Sequence, residues 1–355
     1  MDNSSQSPES KSITSADLGE ALFKEATEFL TGEGAPQDFL KAAELFEKAA
    51  QNGHISAQVN LASMYYQGIG LPQDFKKAFE LYQKVADQDV NCLALVNMAL
   101  MYVNGDGVEQ DLKKAAELYE KVAEQGQFVG QFNLALMYLE GSGVAQDFKK
   151  GAQLLLKAVQ HGQAVAQLQL GFLYLSGVGL KKDLNEAAKM FQLAADQGNP
   201  IAQLNLGLMY SQGHGIAEDQ AKAAELFQKA AQQGDTDALT NLGLLYLTGR
   251  GVTKDVDQAL QCFQKAVEAG NSGGQYYLAT MYQNGYGVNV DLAQAAKLFE
   301  LASEQDLAEA QYKLAILYLK GQGVPQDPSR ARELLLKASA QGYEPAEEIL
   351  KKLTQ

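Results

Sequence analysis

Small and apolar residues recur along this chain at helical spacing, and the pattern restarts about every 36 residues. In one copy the apolar slots are Ala57, Leu61, Ala62, Met64 and Tyr65; in another they are Ala202, Leu206, Gly207, Met209 and Tyr210. That spacing predicts one helix with a single packed stripe. A second run follows in each copy, such as Ala42, Leu45, Phe46 and Ala49, or Ala223, Leu226, Phe227 and Ala230. It falls at i, i+3, i+4 and i+7, with charged residues opposite, and predicts a second, amphipathic helix. Neither helix can bury its stripe alone, so neighbouring copies must stack to complete a core.

The punctuation is as regular as the helices. A Gly-x-Gly begins at Gly32, Gly68, Gly105, Gly141, Gly177, Gly213, Gly249, Gly285 and Gly321, at spacings of 36 residues seven times and 37 once. Three residues before each stands an aromatic, Phe29 in the first copy and tyrosine from Tyr65 to Tyr318 thereafter. Six residues after the first glycine comes an aspartate in every copy, from Asp38 to Asp327. The glycine is expected to end the first helix in a left-handed conformation. The aspartate is expected to cap the second by accepting a backbone N–H. Pro328, directly after Asp327, sits at the helix position proline favours. Lysines occupy the slot where a capping box would place an acid (Lys41, Lys77, Lys114, Lys150, Lys222), so the cap is of the simple kind. A turn glycine closes most copies, replaced by Asp89 and Asp306 in two.

The expected organisation is a disordered polar tail over 1–17, nine units of about 36 residues over 18–342, and a capping helix over 343–355. The fold class is all-α, an α-solenoid of helix–turn–helix repeats. Units reading AQ-x-NL-(G/A)-x-MY-x-x-G-x-GV-x-x-D-x-x-KA resemble the Sel-one-like repeat (SLR) family, a branch of the tetratricopeptide superfamily. The resemblance implies a right-handed superhelix whose first helices line a concave surface, and an adaptor role. Some relatives are secreted, with a disulfide in each repeat. This chain departs from that pattern.

Composition narrows the partners. With 29 Lys and Arg against 43 Asp and Glu, the net charge of −14 opposes nucleic acid. No apolar run approaches the ~20 residues of a membrane span. Cys92 and Cys262 fall roughly four repeats apart, about 40 Å in a stack of helices ~10 Å apart, too far for a disulfide. Sparse cysteine and the polar N-terminus point to the cytoplasm, or to the periplasm or outside if a leader has been removed. A capped array of this kind is expected to be a monomer.

No constellation for catalysis is legible, and neither a metal nor a cofactor is called for. His54, His161 and His214 fall in three different units and read as exposed turn residues. Cys262 reads as a small buried hydrophobe, Cys92 as a loop thiol. The chain is therefore expected not to be an enzyme. A binding site is sought on the first helices. Five residues before the tyrosine, Asn60, Asn97, Asn133, Asn205 and Asn241 recur. Such amides can bond a peptide backbone, or else tie each repeat to a neighbouring loop. Six before the tyrosine the series is Val59, Val96, Phe132, Leu168, Leu204, Thr240, Tyr276 and Tyr312. Two before, it includes Leu100, Leu136, Phe172, Leu208 and Leu244. The candidate peptide-binding residues are the five asparagines with Phe132, Phe172, Tyr276 and Tyr312. The relatives supply the alternative of a secreted, saccharide- or cell-wall-binding repeat protein in bacterium–host contact.

Overall fold

The computed structural model describes residues 14–88 and 91–353, and all of its regular structure is helical. The segment 1–13 and the turn position Asp89 lie outside the described residues. The chain forms two compact units. In the unit made mainly of residues 14–162, the first helices are α1 (Ser15–Thr31), α3 (Ile55–Gln67), α5 (Cys92–Asn104) and α7 (Phe128–Glu140). Its second helices are α2 (Phe39–Gln51), α4 (Phe75–Gln88), α6 (Leu112–Glu124) and α8 (Phe148–Ala158). In the other unit the first helices are α9 (Ala164–Ser176), α11 (Pro200–Gln212), α13 (Thr236–Thr248), α15 (Ser272–Asn284) and α17 (Ala308–Lys320). They alternate with α10 (Leu184–Asp196), α12 (Gln220–Gln232), α14 (Val256–Glu268), α16 (Leu292–Glu304) and α18 (Pro328–Ala340), and α19 (Glu344–Leu353) follows.

The expected stripes are the core. Ala42, Leu45, Phe46 and Ala49 are buried, as are Ala223, Leu226, Phe227 and Ala230. The small slot of the first helix faces a large residue of the second. A Cβ on Gly207 would stand 2.7 Å from the Phe227 ring, and one on Gly171 2.7 Å from Phe191, so these helices touch at a distance only glycine permits. At the end of the array Ala346 is buried, and Ile349 and Leu350 of α19 lie against the last core cluster.

All nine aspartates cap as expected, each carboxylate accepting the backbone N–H three residues on at 2.9–3.1 Å. Each aspartate also donates its own backbone N–H to the carbonyl of the recurrent aromatic, Asp38 to Phe29 at 2.9 Å and Asp219 to Tyr210 at 3.0 Å. The lysine in the capping-box slot covers that same aromatic. Lys41 lies 3.9 Å from the centre of the Phe29 ring, and Lys77, Lys114, Lys150 and Lys222 lie 5.1–5.2 Å from their tyrosines. One end is an exception. Thr14 and Asp17 form a reciprocal capping box, so α1 starts at Ser15 and residues 15–17, expected in the tail, are helical.

The second glycine of each loop joins one copy to the one before. It holds φ of +67 to +73° at Gly70, Gly107, Gly143, Gly179, Gly215, Gly251, Gly287 and Gly323. A Cβ on Gly107 would stand 2.5 Å from the Phe75 carbonyl carbon and 2.7 Å from the Lys76 nitrogen, at the start of the preceding second helix. Gly34, in the first of the nine copies, meets only the Glu28 side chain among the described residues.

A side-chain ladder adds a link inside the repeats. Buried Gln167, Gln203, Gln275 and Gln311 accept, at Oε1, the Nε2–H of Gln197, Gln233, Gln305 and Gln341 at 2.8–3.0 Å. At Leu239 and Ala269 both partners are absent together. Where His161 takes the donor slot, Gln131 Oε1 is buried without a partner.

Two outcomes are expected in urea unfolding. Gly34→Ala meets only the backbone penalty of about 1–2 kcal/mol. Gly107→Ala adds overlap with a neighbouring backbone and costs roughly 3 kcal/mol or more. Equal losses would show that the loop contact does not hold the copies together. Gln233→Ala strands the buried Gln203 oxygen and costs about 1–3 kcal/mol. The double change Gln203→Leu/Gln233→Ala, which copies the Leu239/Ala269 pair, recovers most of that. A double variant no more stable than the single one contradicts the pairing.

Candidate functional site

The first helices expose a narrow row. Nine residues before the tyrosine the chain places Leu93 and Val129 in one unit, 55 % and 40 % exposed, and Val165 and Ile201 in the other, 45 % and 47 % exposed. One turn along stand the asparagines. Asn97 and Asn133 donate Nδ2–H to the Leu93 and Val129 carbonyls at 2.9 and 2.8 Å. Asn205 and Asn241 donate to Ile201 and Asp237 at 2.7 and 2.8 Å. The expected tie to a neighbouring loop is thus not what these amides make. Each bonds its own helix, leaving its oxygen without a partner among the described residues. Asn60 is half-buried and makes neither bond. Two residues before the tyrosine, Leu100 is exposed, and Leu136, Phe172, Leu208 and Leu244 are half-buried.

The series six before the tyrosine divides between buried and half-buried positions. Val59, Leu168 and Thr240 are buried, because this slot turns toward the neighbouring helices. Thr240 accordingly donates its hydroxyl to Asn271 Oδ1 at 3.0 Å. Phe132 is half-buried and stacked on Phe128 at 5.4 Å; Phe172 meets Phe191 edge-on at 5.2 Å. These two belong to different units and are packing residues as much as surface ones. Tyr276 and Tyr312 are half-buried; Tyr276 meets Tyr277 edge-on at 5.2 Å, and Tyr312 lies 5.4 Å from Tyr343.

Charge distinguishes the face. From α3 to α15, the seven first helices carry only Glu140 and Asp237 as Asp, Glu, Lys or Arg, in a chain with 72 such residues (29 + 43). Asp237 is bonded by Asn271 Nδ2 at 2.8 Å. The charges lie on the second helices, the loops and the terminal helices α1, α17 and α19 instead. Clefts also open there: one of about 640 Å³ in the second unit runs beside α10 and α12, lined by Gln192, Asp196, Tyr210, Lys222, Glu225 and Lys229. Its lysines are engaged, Lys222 over the Tyr210 ring and Lys229 with Glu225 at 2.6 Å.

Other candidate groups settle into structural places. His54 is not an exposed turn residue. Its Nδ1 accepts the Ala57 N–H at 3.2 Å, its Nε2 meets Glu20 at 3.0 Å, and its ring stacks on Phe23 at 4.4 Å. His161 and His214 are exposed. Cys262 is buried, and burial pushes its thiol up from the usual range. Cys92 begins α5 and is not a loop residue; its Sγ–H donates to Gln125 Oε1 at 2.8 Å. Tyr82, deep in the first unit, is pushed up to about 12 by burial. No group of three His, Cys, Asp or Glu among the described residues is placed to hold a metal. No helix among them is long and apolar enough to cross a membrane.

The Sel1 repeat model matches nine times, at residues 19–54, 55–90, 92–127, 129–163, 164–199, 200–235, 236–271, 272–307 and 308–343. The chain belongs to the Sel1-repeat family. Two solved structures share the architecture. A protective antigen of uropathogenic Escherichia coli strains with an SLR fold is 30 % identical, with 93 % of this chain and 80 % of that one covered and a TM-score of 0.67. A Sel1 repeat protein from Oxalobacter formigenes is also 30 % identical, with 92 % and 93 % covered and a TM-score of 0.66. No curated protein matches the chain. Sel1 repeats generally build interaction scaffolds and are generally non-catalytic.

If the asparagines serve the surface, Asn97→Ala and Asn133→Ala leave stability within about 0.5 kcal/mol of the parent in urea unfolding. A loss above about 1.5 kcal/mol in either would assign them to the fold.

Proposed function

We propose that this Sel1-repeat protein is an adaptor whose first helices capture a segment of a partner protein on their outward row. The observation that carries this reading is the near-absence of charge there. A chain this acidic leaves its seven first helices from α3 to α15 with two charged residues between them, and sets exposed Leu93, Leu100 and Val129 in the first unit, and Val165 and Ile201 in the second, beside amide side chains. Aliphatic side chains give area to desolvate. An amide oxygen without a partner accepts a peptide N–H whatever that peptide's sequence. The occupant that fits is a segment with apolar side chains and few acids, extended or helical.

The test uses the exposed members, because Phe132 and Phe172 also pack against the fold. A photo-reactive group placed at Leu100 in the full chain identifies the partner segment by mass spectrometry. Its affinity is then measured by calorimetry for the parent, Leu93→Asp and Val129→Asp. Each charge is expected to weaken binding about tenfold or more, roughly 1.4 kcal/mol, with melting temperature unchanged. Unchanged affinity in both folded variants would remove the row from the site. A saturable calorimetric response to muropeptides that both variants abolish would replace the protein partner with a saccharide one.

A further inference from the structure

We propose that Tyr276, Tyr312 and Tyr343, with the carboxylate of Glu309, form a recess for a guanidinium group, an arginine side chain of the partner segment. The inference rests on the adaptor reading and names the chemistry taken at the C-terminal end of its surface.

The register of the repeats isolates Glu309. The slot nine residues before the aromatic holds an acid at Glu20, Asp237 and Glu309. In the first two cases the residue 34 positions later, just ahead of the next first helix, answers it. His54 Nε2 meets Glu20 at 3.0 Å, and Asn271 Nδ2 donates to Asp237 at 2.8 Å. For Glu309 that residue is Tyr343, and no hydrogen bond forms. Glu309 is half-buried and holds neither hydrogen bond nor ion pair among the described residues. A carboxylate drawn partly out of water without a partner is costly, and a cation placed beside it recovers that cost.

The walls of the recess suit a flat cation. Tyr312 and Tyr343 lie 5.4 Å apart, Tyr276 lies 5.2 Å from Tyr277 and 5.8 Å from Phe299, and all four tyrosines pack against the same core cluster. Tyr276, Tyr277 and Tyr343 are half-buried, and burial raises all three phenols first; the nearby negative charge of Glu309 raises each further. By geometry, Glu309 stands one turn before Tyr312 on α17, in the slot whose counterpart 34 residues on is Tyr343. Aromatic faces attract cations. A guanidinium can stack on a ring while its N–H fork engages a carboxylate, which an ammonium cannot do as well. The net charge of −14 favours the approach of a basic segment. One internal competitor exists: Lys313 stands one turn beyond Glu309 on α17, at the slot asparagine fills elsewhere, and does not pair with it.

The test needs no partner protein. The full chain, labelled with ¹³C in its tyrosine rings, is titrated with N-acetyl-arginine amide and with its neutral isostere N-acetyl-citrulline amide, and ring resonances are followed. Saturable shifts are expected at Tyr276, Tyr312 and Tyr343 with the arginine probe alone. Glu309→Gln, checked for an unchanged melting temperature, is expected to weaken binding about fivefold or more. Tyr312→Leu gives a second reading on the ring wall and is also expected to weaken it. Lys313→Ala is expected to bind at least as tightly as the parent. Equal shifts with citrulline, no saturation at these rings, or undiminished binding in folded Glu309→Gln would overturn the recess. Loss of partner capture in Leu93→Asp with a failed arginine titration would leave the adaptor row standing and remove the recess alone.

Discussion

The contact on which the stack depends is between backbones. From Gly70 onward, the second glycine of each loop rests on the first turn of the preceding second helix, so closely that any Cβ would overlap main chain or, at Gly287, the Val256 side chain. Main chain cannot move aside as a long side chain can. The contact therefore sets how near one copy lies to the last, and the other regularities follow from it. The loop must keep its length, so the aspartate stays six residues after the first glycine. The aspartate then serves both sides of the loop, accepting from the helix it starts and donating to the aromatic of the helix that has just ended. The lysine over that aromatic finishes the corner.

Because the loop, the cap and the small–large pairing bear the fold, they leave little freedom for binding. What varies between copies sits on the outward side of the first helix. There the chain can change residues without disturbing a neighbour, as it does from Glu20 to Leu93, Ile201, Asp237 and Glu309 in a single slot. The middle of that series is aliphatic and the ends are acidic. Two of the acids are bonded within the fold and one is not. Within the second unit, aliphatic Val165 and Ile201 and the acid Glu309 thus occupy the same slot on first helices of common design.

Much of the fold was legible as periodicity. The nine units, the two helices in each, the capping role of Asp38 to Asp327 and the burial of the Phe46, Phe227 and Phe263 slots all follow from residues counted within one copy. Other features needed two copies or two distant slots to be placed together. The ladder from Gln197 to Gln167 joins residues 30 apart, and its sequence signal was the paired loss at Leu239 and Ala269. His54 looked like a turn residue until Phe23 and Glu20 of the preceding copy were set against it. The lysine slot read as a missing capping box because the aromatic lies twelve residues earlier in the chain but beside it in space.

The site divides along the same line. Sequence by itself established which slots of the first helix are polar, apolar or aromatic, since a helix of fixed pitch turns spacing into faces. It also established that charge is nearly absent from seven of those helices. It did not establish which slots reach solvent. That depended on how far each helix leans on its neighbours, and packing buried Val59, Leu168 and Thr240 while leaving Leu93, Val129 and Ile201 exposed. Nor did it show that Glu309 is the acid without an answer, because hydrogen-bond satisfaction is a property of the assembled stack: the partner's identity is written 34 residues away, and only tertiary structure brings it into reach or leaves it short.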